Sequence, residues 1–467
     1  YILIALRNII RQKAYSIINI TGLAIGIMSC MLILMYVTDE LSYDRFHEKG
    51  DRIYRLFFRY TSPNGESFNH AVGPYRLANE LADRYPEIEE AVRLSFSSPM
   101  ELRYGETEFV EDNVMLADSN IFRVFSIDLH AGEPSTALIE PFTCVVSDEV
   151  AGKFFGKENP VGKSLEIDTP AGTSEIRITG VFRTFPRNSH IKPDILGSMA
   201  TAEYLYNDRQ KYNWGEGTVA YYVLLPEEVP KAELEAKFPE LIREIFDDEE
   251  ASDFVQYWLQ PIFDTHLKSD LRFDFEPHGD LGTIRVFSLI AIFILIIATI
   301  NYMNLSTARS ARRAKEVGLR KLAGSRRGQL IGQFLAESTS MVFLAMLLAL
   351  ILANFLLPFF NTLSGKSFEA GALFNWRVLL ILLILTPVIG TLAGSYPSFI
   401  LSSFLPVKVL YRETGSARSG FVLRKILVVL QFSISITLII STLVIYFQWR
   451  HLSHMDLGIN PAQVVIA

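Results

Sequence analysis

Residues 156–164 read GKENPVGKS and come nearest in this chain to a phosphate-binding loop. Wrapping a phosphate with successive backbone N–H groups takes four residues between the two glycines. Gly156 and Gly162 have five between them, so the segment reads as a turn entering a strand. His47-Glu48 lacks the second histidine of a zinc-protease helix, no GxSxG is present, and His190, His266 and His278 stand apart among loop residues. The two cysteines, Cys30 in an apolar run and Cys144 in an acidic block, offer neither a disulfide nor a metal pattern. The acids from Asp247 to Glu250 read as a solvated helix end. Glu337 is a carboxylate in an apolar run, which is expensive; it is expected to snorkel to the interface or to pair with Arg326 or Arg327 in preference to a transport role. Catalysis and metal binding therefore have little to stand on, and no cofactor is expected on this chain.

Charge of a different use is concentrated in residues 301–328, NYMNLSTARSARRAKEVGLRKLAGSRRG. Arg309, Arg312, Arg313, Lys315, Arg320, Lys321, Arg326 and Arg327 face a single acid, Glu316. Loops kept in the cytoplasm carry the excess of Lys and Arg, so this segment is expected inside, between membrane helices. A topological flank alone needs fewer basic residues than these, which are interleaved with Ala, Val, Gly and Leu. Leu305, Ala308, Val317 and Leu319 are available for packing in a helical pattern, and Gly318 costs about 1 kcal/mol in a helix interior. Helix, glycine break and helix make a shape suited to docking on a cytosolic partner; the alternative is a solvated basic hairpin.

The elements that must position this segment follow from the charge distribution. The 467 residues are 49% hydrophobic with a mean hydropathy of +0.23 and a net charge of -7. Residues 39–284 hold 46 acids and 24 basic residues, a net of -22; the remainder holds 20 basic and 5 acidic residues, a net of +15. An acidic aqueous domain joined to a positive-inside membrane domain has this split. Nucleic-acid binding is demoted, because the basic residues are spread over loops flanking apolar helices.

Residues 1–16 read as an amphipathic helix on the inner membrane surface, or as the basic flank of the first membrane helix. Five membrane helices are expected at 17–38, 285–305, 334–357, 377–397 and 425–448, the third ended by Pro358. The N-terminus is then inside, a loop at 358–376 outside, and basic segments at 306–333 and 398–424 inside. Trp376 and Trp449 mark the outer interface. Gly22 with Gly26, and Gly390 with Gly394, are GxxxG pairs that allow close helix packing. Residues 39–284 alternate strand and helix patterns and predict an α+β domain of two lobes, the lobe at about 140–198 inserted into the other, with Ser147 capping a helix. LRNII at 6–10 is similar to LRKIL at 423–427, each before an apolar run, which suggests a repeat whose second outer domain starts within 449–467.

NLSTARSARRAKEVGLRKLAGS followed by QLIGQFLAES resembles the signature of the FtsX-like domain in MacB-type ABC transporter permeases. FFGKENPVGKSLEI, ITGVFRTFPRNSHIKPDIL and MDLGINPAQVV resemble outer-domain motifs of the same family, the last as the start of a second outer domain in its long Bacteroidota-type members. The resemblance implies four membrane helices per repeat, a periplasmic domain between the first two, and an inner-membrane location in a Gram-negative cell. It implies that ATP is hydrolysed on a separate cytosolic ABC ATPase subunit, so this chain is not itself the enzyme. The ATPase would dock on Arg313, Ala314, Lys315, Glu316, Val317, Gly318, Leu319, Arg320, Lys321 and Gly324. Its closure would move the periplasmic domain as a mechanical transmitter, with the chain embedded in membrane lipid. The fifth helix leaves open a homodimer or a pseudo-dimer through a second repeat.

Three functions are compatible with these residues: a permease for efflux or envelope-substrate transport, a transmembrane scaffold regulating a periplasmic cell-wall hydrolase, and a membrane sensor without an ATPase. Transport would bring in a periplasmic adaptor and an outer-membrane exit protein. The acidic outer domain could favour cationic molecules through long-range fields, but net charge is equally a solubility device.

Overall fold

The computed structural model describes residues 2–62, 64–96, 98–169, 172–214, 217–308, 317–403 and 418–455. The chain divides into Tyr1–Val37 with Ile284–Ala467, and Thr38–Thr283. The second unit coincides with the acidic block to within a residue at each end. Helix α1 (Ile2–Arg11) and helix α2 (Lys13–Glu40) open the chain.

The second unit has two lobes, as the sequence predicts. In the first, β1 (Ile53–Thr61), β3 (Glu90–Ser95), β11 (Val219–Leu224) and β12 (Val255–Pro261) lie in the order β3-β11-β1-β12, all antiparallel. Helix α3 (Leu77–Arg84) links the first pair and α5 (Phe238–Phe246) the second, with β2 (Ser67–His70) paired to the far half of β1. This is the split βαβ arrangement of ferredoxin-like folds. Strand β11 is buried at all six positions, because apolar cores lie on both of its faces. Leu56, Phe58, Leu77, Tyr221 and Leu241 belong to one core; Ile53, Val92, Phe125, Tyr222 and Ile262 belong to the other. Residues 231–246 form two helices, Lys231–Glu235 and α5. Pro239 sits in the first turn of α5 and has no N–H to give to the preceding turn.

The second lobe is inserted between β3 and β11. Its strands are β4 (Ser98–Tyr104), β5 (Thr107–Ala117), β7 (Thr143–Ser147), β8 (Ser164–Thr169), β9 (Gly172–Phe182) and β10 (Ile195–Ser198), with β6 (Leu129–Ala131) paired to β9. They pair in the order β10-β7-β9-β8-β4-β5, and β5 pairs back onto β10, closing a ring. Closure leaves these six strands without an open edge. Leu102, Val114, Cys144, Leu165, Ile176 and Ile195 fill the interior. The inserted lobe thus begins earlier than residue 140, since β4 and β5 supply two of its strands. Ser147 caps α4 (Asp148–Phe155), its hydroxyl accepting the Val150 N–H at 3.2 Å. In GKENPVGKS, Gly156 and Gly162 take φ of 60° and 90°, and Lys163 is held 2.5 Å from Glu158 over the rings of Phe155 and Tyr104. That lysine is part of a structural turn.

In the first unit, among the described residues, α2, α6 (Leu281–Ala308), α7 (Arg327–Ser364), α8 (Trp376–Ser403) and α9 (Arg418–Ser453) are the five helices long and apolar enough to cross a membrane. Two expected ends are corrected. Helix α7 runs through Pro358 to Ser364, and α8 runs through Pro387 and Pro397. In an apolar setting, continuing the helix is the way to satisfy the remaining backbone groups. Near Pro358 the Thr362 hydroxyl donates to the Pro358 carbonyl at 3.1 Å, and the Asn354 side chain accepts the Gly371 N–H at 3.2 Å.

Helices α2, α6, α7 and α8 share one core, to which α9 contributes none of its described side chains. The two glycine pairs face neighbouring helices of this same chain. A Cβ on Gly26 would stand 2.6 Å from the Ala298 Cβ, and one on Gly22 3.4 Å from Asn301 Nδ2. A Cβ on Gly390 would stand 2.7 Å from the Thr339 Cα, and one on Gly394 2.7 Å from the Ser338 Cβ. Cys30 and Cys144 are buried and unpaired.

Candidate functional site

Of the candidate docking residues, Arg313, Ala314, Lys315 and Glu316 lie outside the described residues. The rest form one clipped turn. Residues 317–322 are helical, and Gly324 ends them at a φ of 92°, while the Ser325 N–H reaches back to the Arg320 carbonyl at 3.0 Å. This left-handed glycine closure satisfies carbonyls that a helix end otherwise leaves open. Val317, only 2% exposed, packs with Leu330 and Phe334 of α7 in a small separate core, and Gly318 is buried.

Two of the basic candidates turn back onto the chain. Arg320 Nη1 donates to Gln333 Oε1 at 2.6 Å, and Lys321 Nζ donates to the Ser402 carbonyl at 2.6 Å. Arg327 Nε adds a bond to the Ser402 hydroxyl at 3.3 Å. Arg320 and Lys321 thus tie the turn to α7 and α8. What the turn presents outward is apolar: Leu319 and Leu322 are each 62% exposed. Leu322 was not among the sequence candidates, although its spacing of three from Leu319 is the helical signal that marks it. Glu337 does not snorkel outward; it is 4% exposed, beside Ser338, whose hydroxyl accepts from Tyr302 at 2.8 Å.

A second set of polar residues lies where the chain enters and leaves the acidic unit. Of the histidines read as separate loop residues, His190 and His266 are matched to carboxylates distant in sequence and His278 to one four residues before it. His190 Nδ1 is 2.9 Å from Asp44, His266 Nε2 is 2.8 Å from Glu40, and His278 Nε2 is 3.5 Å from Asp274. The Tyr43 ring stacks on His266 at 3.5 Å, and His190 Nε2 is 2.7 Å from the Tyr222 hydroxyl. Arg55, wholly buried, donates twice to Asp274, at 2.6 and 2.7 Å, and once to Gln260. The first residues of the unit are therefore fastened to its last ones. Burial raises the Asp44 carboxyl, but His190 more than offsets this and holds it below the ordinary value. Burial pushes the His47 imidazole down to about 4, against a smaller opposing pull from Asp44. Among the described residues no three His, Cys, Asp or Glu side chains converge to hold a metal ion. The arrangement holds segments of the unit together.

Residues 16–241 match the MacB-like periplasmic core domain, and residues 288–406 match the FtsX-like permease C-terminal domain. A macrolide export ATP-binding/permease protein MacB of Shewanella sp. (strain W3-18-1) is 25% identical over 329 residues, 69% of this chain and 47% of that protein. An uncharacterized ABC transporter permease of Methanocaldococcus jannaschii is 19% identical over 417 residues, 88% of this chain and 97% of that protein. A solved domain of a permease protein from Porphyromonas gingivalis aligns at 23% identity with a TM-score of 0.41, covering 51% of this chain and 98% of its own. The chain spans about half the length, or less, of the curated MacB relatives it matches. Carrying both matched domains in the order they take along the sequence, the chain belongs to the MacB/FtsX-type ABC transporter permease family.

Proposed function

We propose that the chain is the permease subunit of an ABC transporter in the inner membrane of a Gram-negative cell. It relays the ATP-driven motion of a separate cytosolic ATPase to its periplasmic unit, for efflux or for transport of an envelope substrate. The carrying observation is the turn at residues 317–324: clipped to α7 and α8 by Val317, Arg320 and Lys321, it leaves Leu319 and Leu322 free to seat in a partner. An exposed apolar pair on a rigid support is the form of a docking anchor. Support for the relay comes from α2 and α6, which continue from the membrane unit to Glu40 and from Leu281, and from the fastening of Glu40 to His266. The similarity of LRKIL at the start of α9 to LRNII in α1 supports reading α9 as the opening of a second repeat.

The test is co-expression with a candidate ATPase, with spin labels at the exposed positions 149 and 249, one in each lobe. Adding a non-hydrolysable ATP analogue is expected to change the distance distribution between the labels in the purified complex. An unchanged distribution in a complex that binds and hydrolyses ATP would remove the relay.

A further inference from the structure

We propose that the cleft between the two lobes of the periplasmic unit is a binding site for an organic anion with an apolar body. The cleft measures about 540 Å³ and lies where the chain passes into and out of the barrel lobe. That volume is in the range of small-molecule sites. Its two acids are already matched. Asp118 takes Arg93 Nη2 and Nε at 2.8 and 3.0 Å, and Glu203 stands 3.6 Å from Lys211. Arg76 is different. It is exposed, and its guanidinium lies over the Trp214 ring at 5.3 Å and the Tyr212 ring at 6.0 Å. Among the described residues, no carboxylate lies within ion-pair distance of it.

Among the described lining residues three cations stand against two acids, and Lys211 also lies 3.9 Å from Asp208, so Arg76 is the lining cation without a described carboxylate partner, in a unit of net charge -22. Stacking fixes the plane of a guanidinium while leaving its N–H edge to a planar or tetrahedral oxyanion. The cleft also has an apolar side: Leu138 and Met199 are buried, and Ile139 is 51% exposed. A ligand that fits both has a carboxylate or sulfonate for Arg76 and an aromatic or aliphatic body for Ile139 and the Tyr212 face. The inference stands independently of the relay, since it concerns residues of the periplasmic unit alone.

The experiment is calorimetric titration of the full chain in lipid nanodiscs with naphthalene-2-sulfonate, against empty nanodiscs. One site per chain is expected, weakened about tenfold or more by Arg76→Ala, the scale of losing a charge-assisted hydrogen bond. Arg187→Ala, outside the cleft, should titrate as wild type. Because Arg76 is exposed, its variant should melt as wild type, which separates lost binding from lost folding. Ile139→Asp is a second route to weakened binding. Equal affinity in wild type and Arg76→Ala, or equal binding of the cationic 2-naphthylmethylamine, would overturn the site.

Discussion

His190 Nδ1 stands 2.9 Å from Asp44 Oδ1, and the same oxygen accepts the His190 backbone N–H at 3.0 Å and the Ser189 hydroxyl at 3.2 Å. Asp44 is wholly buried and has a φ of 59°, a left-handed conformation that Asn and Asp enter and β-branched residues avoid. Asp44→Asn keeps the backbone and an acceptor, whereas Asp44→Val keeps neither. The valine variant is expected to lose on the order of 3 kcal/mol or more, and the asparagine variant clearly less. Chemical unfolding followed by tryptophan fluorescence measures both, and equal losses would mean that the carboxylate cluster does not organise this corner.

His47 predicts an acid sensitivity. Its folded pKa of about 4 is below its ordinary 6.5, so the unfolded chain binds the extra proton first. The contribution of the neutral, buried ring is fully present above pH 6.5 and is lost as pH falls towards 4, by about 3 kcal/mol over that window. The lowered Asp44 carboxyl acts in the same direction only at lower pH. His47→Gln should flatten the dependence of the melting temperature between pH 6.5 and 4.5. A variant with the wild-type slope would exclude His47 as its source.

Much of this architecture was readable from local pattern, and the unread part is non-local. Strands β7 and β11 are short apolar runs rich in β-branched and aromatic residues, and Ser147 announced the helix it caps. Strand β4, beginning Ser98-Pro99, has no clean alternation, and the barrel is closed by the parallel pairing of β5 with β10, about 80 residues apart in sequence. The partners of His190 and His266 lie 146 and 226 residues away. At the turn over residues 317–324, spacing marked Leu319 but could not show that Gln333 and Ser402 draw Arg320 and Lys321 inward.

The glycines of the membrane unit separate packing from helix propensity. An added methyl at Gly390 meets the backbone of α7, whereas one at Gly332 meets nothing within 4 Å. Gly390→Ala is expected to destabilise by about 1–3 kcal/mol through overpacking. Gly332→Ala is expected to stabilise by a fraction of 1 kcal/mol through propensity alone. Melting of the two variants in one detergent decides it. A Gly390→Ala protein that melts as wild type would mean that α7 and α8 do not pack this closely.

The turn proposed to dock the ATPase yields the prediction that bears most directly on function. Leu319→Asp with Leu322→Asp puts two charges on the exposed face without touching Val317, Arg320 or Lys321, which hold the turn to α7 and α8. Melting should therefore stay near wild type. Recovery of a co-expressed ATPase should fall at least about tenfold, corresponding to roughly 1.4 kcal/mol, since an anchor seated in a partner pocket tolerates no buried unpaired charge. Val317→Asp should instead lower the melting point, because it opens the small core with Leu330 and Phe334. If the double aspartate variant retains the ATPase in full, the exposed leucines are not the anchor and the partner engages another part of the chain.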